Sequence, residues 1–201
     1  NESRSSQSAV SGMANSLIGI ANRTQNSNGS LIFGAGNEIT NSYASISGLP
    51  GGLLSSTPSD LANTIRESVK DSDGGGATLA IGGGNTADYT QASQLIGVNN
   101  TLKGTSSSVS QYNALNGYKN TAENVTQTYI TGLGNTVSDS QSDVVIGDYH
   151  TLSGGGNNVV IGSMEAQDLQ EEKTVNGVSY TITKVPVKAH QSDISDTVMI
   201  G

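Results

Sequence analysis

Short apolar runs closed by glycine recur along this chain, and the polar residues between them recur with them. The runs end at Gly19, Gly34, Gly48, Gly82, Gly97, Gly117, Gly132, Gly147, Gly162 and Gly201, at spacings of 15, 14, 34, 15, 20, 15, 15, 15 and 39 residues. Most spacings are 14 or 15, which makes the chain a repeat carrying three insertions. Three and four residues after the glycine come Asn22-Arg23, Asn37-Glu38, Asn85-Thr86, Asn100-Thr101, Asn120-Thr121, Asn135-Thr136 or His150-Thr151. An apolar residue follows in most units: Ile39, Leu53, Ala87, Leu102, Ala122, Val137 and Leu152.

Each unit therefore predicts a strand, a tight turn, a second short strand and a return turn. Glycine ends the first strand because it alone accepts a positive φ or a close backbone approach without penalty. Asparagine tolerates the left-handed region, so its recurrence at one offset marks a stacked corner. At about 3.3 Å per strand residue, a fifteen-residue coil has room for two short strands. Successive coils then pair in parallel, each supplying hydrogen bonds its neighbour cannot make alone.

The first strand is apolar on both faces. The second residue before each glycine is apolar in every unit, Val145 and Val160 among them, and the residue just before it is usually apolar too. Side chains alternate along a strand, so one set fills the coil interior and the other needs a second surface. No series of long amphipathic helices is present to supply that surface, and a soluble monomer seldom tolerates so long an apolar stripe. Ile18, Phe33, Ile81, Ile96, Val145, Ile146, Val160 and Ile161 are accordingly the expected core and inter-chain packing residues, in a cyclic assembly of identical chains.

Composition agrees with a narrow, repetitive core. Of 201 residues only 33% are hydrophobic, Phe33 is the one phenylalanine, Trp and Cys are absent, and Gly numbers 26. Charged residues at 13% and three prolines do not resemble a disordered chain. A net charge of −8 with thinly spread cations argues against nucleic acid. Without Cys there are no disulfides or thiolate metal sites. No run approaches the ~20 apolar residues of a membrane span. The N-terminus has no signal-peptide pattern and the chain stops within a repeat, so residues 1–201 are expected to be one fragment of a larger protein.

Two of the three insertions have internal structure. In the segment 49–77, Ser59–Lys70 reads as a short helix with Ser59 as N-cap and Leu61, Ile65 and Val69 on one face. In the segment 164–196, Asn176-Gly177 between valine-containing runs predicts a β-hairpin over Thr174–Val187, with Pro186 confining it to an edge. A hairpin projecting from a smooth roll is the expected place of partner contact, through Lys173, Asn176, Tyr180 and Lys184, unless it braces a neighbouring subunit. The third insertion is a Ser-rich loop around Thr105–Ser108.

Reaction chemistry is not legible. His150 stands where other units have Asn and reads as a turn residue, and His190 is isolated, which speaks against a zinc site. Asp71 and Asp73 lack the remaining spacing of a calcium loop. Asp139, Asp143 and Asp148 read as a solvated acidic face, and the triplets at Gly82 and Gly154 read as corner glycines. No cofactor, metal or enzymatic activity is expected. Polysaccharide-cleaving solenoids typically have longer coils with three strands per turn and a charged cleft.

The stretches NSLIGIAN (Asn15–Asn22), SLIFGAGN (Ser30–Asn37), DVVIGDYHT (Asp143–Thr151) and NVVIGS (Asn158–Ser163) resemble the head repeat of YadA-like trimeric autotransporter adhesins. The resemblance implies an all-β, left-handed parallel β-roll of about fifteen-residue coils, packed as a homotrimer. It also implies a Gram-negative cell surface, and attachment to a host matrix protein, a glycan or another bacterium, with the membrane anchor in another part of the protein. The chain departs from that pattern at the degenerate Gly48 and Gly117 units, in the Asn-Thr after glycine, and in its large insertions. A trimeric spacer or fibre is the alternative the same repeat allows.

Overall fold

The computed structural model describes residues 1–4, 12, 14–43, 57–70, 76–163, 169–184 and 190–200. Among these, nine strands carrying the apolar runs form one parallel sheet, from Ser16–Ile20 through Leu31–Ala35 and Leu79–Gly83 to Val198–Ile200. We call this the front sheet. Nine further strands form a parallel back sheet, from Glu2–Arg4 and Arg23–Gln25 to His190–Ser192. Each strand pairs with its counterpart one coil away, Gly97 opposite Gly117 and Leu102 opposite Ala122, for example. Among the described residues the architecture is a parallel β-solenoid, mostly β with one short helix.

Two short strands per coil were expected, but the return segment forms a third ladder. Thr90–Gln91 pairs with Ser110–Gln111, and the line continues as single bridges through Thr126, Gln141, Gly156 and Ser195. A left-handed residue marks each of three corners per coil, Asn99, Tyr112 and Asn124 among them. The inward residues of the third ladder are mostly small and polar, Ser27, Ser42, Thr90, Ser110 and Ser140, with Val125 and the partly buried Ile194 apolar.

Inside the coil, two apolar files face each other. Ile32, Ala80, Leu95, Leu115, Ile130, Val145 and Val160 come from the front sheet. Ile39, Ala87, Leu102, Ala122, Val137 and Leu152 come from the back sheet, and all are buried. The repeat glycine does not end its strand in most coils; Ser16–Ile20 and Ala114–Tyr118 run through it. Its role is close approach: a Cβ on Gly97, whose φ is +122°, would lie 2.0 Å from the Gly117 carbonyl oxygen of the next coil.

Three boundaries differ from the sequence reading. Gly34 pairs directly with Gly82, and residues 44–56, including Gly48 and Leu53, lie outside the described ones. Gly76 and Ala77 already belong to the stack, because Ala92 N–H donates to the Gly76 carbonyl. His190 pairs with Thr151 and Ser195 with Gly156, so the last excursion rejoins the coil at His190, before the expected 196. The helix spans Pro58–Lys70 and is capped by Thr57 rather than Ser59: Thr57 Oγ1 accepts from Asp60 N–H, and the Asp60 carboxylate accepts from Thr57 N–H.

Candidate interaction surfaces

The corner after the front sheet is held by a buried asparagine ladder. Asn22, Asn37, Asn85, Asn100, Asn120 and Asn135 stack in line, and each Nδ2 donates both to the Oδ1 of the rung before and to the repeat-glycine carbonyl of the next coil. Asn1 is the first rung, accepting from Asn22. His150 ends the line by the same chemistry, with Nε2 2.6 Å from the Gly162 carbonyl oxygen and its backbone N–H on Asn135 Oδ1. It is a corner residue, as the sequence indicated. Asn22, the asparagine of an Asn-Arg-Thr glycosylation sequon, is thereby buried and bonded.

Sequence reasoning missed a second polar corner, just before each front strand. Ser30, Thr78, Ser93, Asn113, Thr128, Asp143 and Asn158 are buried there. Asp143 is therefore not part of a solvated acidic face. It accepts from Asn158 N–H and Nδ2 and from the Ser140 hydroxyl, which supplies the donor that an Asp at this corner requires. The available signal was a small polar residue three places before the residue preceding each glycine. Asp139 and Asp148 remain nearer the surface; Asp148 accepts from Leu133 N–H.

The outward side of the front sheet is the largest apolar surface among the described residues. Ile18, Phe33, Ile96, Ile146 and Ile161 are 36% to 53% exposed, and Ile81 is half-buried in the same row. Val145 and Val160 point the other way and belong to the core. A flanking row adds Leu31, Tyr129 and Val198, and the residues after glycine add Ile20, Val98 and Tyr118. On the back sheet, Thr86, Thr101, Thr121, Thr136 and Thr151 stand in register as a polar row.

The hairpin pairs Leu169–Val175 with Val178–Lys184, longer on its first strand than the expected Thr174–Val187. Residues 185–187 lie outside the described ones. Asn176 and Gly177 have φ of 54° and 80°, the two-residue turn their sequence predicted. Tyr180, Val175 and Val178 are exposed. Lys173 pairs with Tyr180 and Lys184 with Leu169, while Asn176 sits at the tip of the ribbon.

A shallow groove of about 520 Å³ lies where three successive coils enter the front sheet, lined by Ala77, Leu79, Gln94, Tyr112 and Ala114. Among the described residues no three His, Asp or Glu side chains gather to hold a metal ion, and no helix is long and apolar enough to cross a membrane. Asp71 and Asp73 fall outside the described residues. No protein-family model matches the chain, and neither does any curated protein or solved structure.

Proposed function

We propose that this chain is a head segment of a trimeric surface adhesin of the YadA-like kind. Three left-handed rolls pack with their front sheets toward a common axis, on a Gram-negative cell surface. The observation that carries the reading is the front sheet, apolar on both faces. One file of side chains closes each coil, and the other is left for another copy. Burying that stripe about an axis turns the polar back sheet outward in triplicate, and three hairpins with it. Such a head attaches to a matrix protein, a glycan or a bacterial partner with the gain that multivalency brings.

Light scattering on a sizing column tests the assembly: a mass near three times 20.5 kDa is expected. Binding of the trimer to immobilised matrix proteins, glycan arrays and whole bacteria, with and without residues 164–189, tests adhesion. A trimer that binds none of them is a spacer or fibre segment. A folded monomer overturns the reading.

A further inference from the structure

The outward row immediately before the glycines reads Ile18, Phe33, Ile81, Ile96, Asn116, Thr131, Ile146, Ile161 and Ile200 in consecutive coils, with Ile96 opposite Asn116, Asn116 opposite Thr131 and Thr131 opposite Ile146. Two polar residues therefore interrupt an otherwise apolar file at its middle. Among the described residues the Asn116 amide makes no hydrogen bond, while Thr131 Oγ1 is shut off from solvent with no partner. A buried hydroxyl left this way is costly and needs an explanation, and the half-buried Asn116 stands beside it in the same row.

We infer that Asn116 and Thr131 form a polar layer that sets the axial register between copies of this chain. The inference rests on the assembly proposed above. Rows of isoleucine repeated every ~4.8 Å match equally well when one copy slides along another by a coil or two, because only end contacts are lost. Where identical faces meet about a rotation axis, Asn116 meets Asn116 and Thr131 meets Thr131 at one height; the amides can be shared as they stand, and a turn about χ1 brings the Thr131 hydroxyl to the seam. A slip of two coils sets both against isoleucine and leaves them unpaired. One polar position in an apolar seam fixes register in coiled coils by this physics.

A second copy is the occupant that fits this face. The outward row and its flanking row carry no charge, although the chain as a whole carries −8, so like chains approach here without repulsion. Nine strands of up to five residues give a flat footprint of roughly 600 Å², above the ~500 Å² per partner that a specific interface needs.

The test uses the absence of native cysteine. A tagged full-length chain carrying Phe33→Cys is co-expressed with an untagged chain carrying Ile96→Cys, and disulfides are scored by gel. These positions lie two coils apart, ~9.6 Å, too far for a disulfide when copies are in register. With native Asn116 and Thr131, only identical positions should cross-link. In an Asn116→Ile, Thr131→Ile background the mixed 33–96 species should rise at least about tenfold, while the oligomer persists. Equal mixed cross-linking in both backgrounds, or none in either, overturns the polar-layer assignment. Absence of any oligomer, or of identical-position disulfides, overturns instead the packing on which it rests.

Discussion

Truncating one rung of the asparagine ladder, Asn100→Ala, should be far more damaging than its size suggests. Asn100 is fully buried. Its Nδ2 donates to the Gly117 carbonyl at 2.9 Å and to Asn85 Oδ1 at 3.1 Å. Its Oδ1 accepts from Asn120 N–H at 3.1 Å and Asn120 Nδ2 at 3.0 Å. Alanine leaves the Asn120 backbone N–H without its side-chain acceptor and the Gly117 carbonyl without its side-chain donor, while Asn120 Nδ2 keeps its bonds to the Asn116 and Gly132 carbonyls. At about 1–3 kcal/mol for each of the two orphaned groups, the loss is about 2–6 kcal/mol. The chain has no tryptophan, so urea unfolding is followed by far-UV circular dichroism at one chain concentration, since an assembly's stability depends on it. The midpoint should fall by more than about 1 M. Lys103→Ala, an exposed truncation in the same coil, should stay within about 0.5 kcal/mol of the parent. Equal midpoints for the two variants would falsify the claim that the ladder holds the corner.

Other substitutions separate backbone geometry from packing. Gly97→Ala drives a Cβ into the Gly117 carbonyl and should cost several kcal/mol, about 4 or more. Gly36→Ala meets nothing within 4 Å and should cost about 1–2 kcal/mol through its positive φ alone; similar midpoints for the pair would refute the close-approach role. Ile96→Asp should lower the mass on a sizing column toward 20.5 kDa with the circular dichroism spectrum kept, and an undiminished mass would remove the front sheet as the interface. Gly177→Ala strains the hairpin turn at φ 80° and should speed amide exchange across residues 169–184 while coil protection holds. Unchanged exchange there would show that the turn does not govern the ribbon.

The asparagine corner, the two facing apolar files, the hairpin and the helix were legible because each leaves a local mark. Those marks are a fixed offset from glycine, alternation along a strand, an Asn-Gly pair, and a four-residue apolar spacing. The helix start at Pro58 was readable too, in Thr57 and Asp60 three places apart, but Ser59 carried the same cap chemistry and drew the boundary inward.

The third ladder left no such mark, because its inward positions are mostly Ser and Thr, with only Val125 and Ile194 apolar among the described residues, and little in composition separates them from a loop. Register lay beyond the sequence as well. The run ending at Gly48 has the spacing of a coil, yet Gly34 pairs with Gly82. Which strand a segment meets depends on partners distant in the chain, and near-identical repeats offer several. Burial of Asp143 was decided in part the same way, by an Asn158 amide brought to it from the next coil to join the local Ser140 hydroxyl. The sequence by itself determined the period, the corner residues and the two-faced apolar strand, since these follow from local backbone preference and side-chain alternation. Only the tertiary structure decided which coils are neighbours, where polar groups find partners, and which apolar row is left uncovered, since hydrogen-bond pairing and solvent exclusion are settled between segments rather than within them.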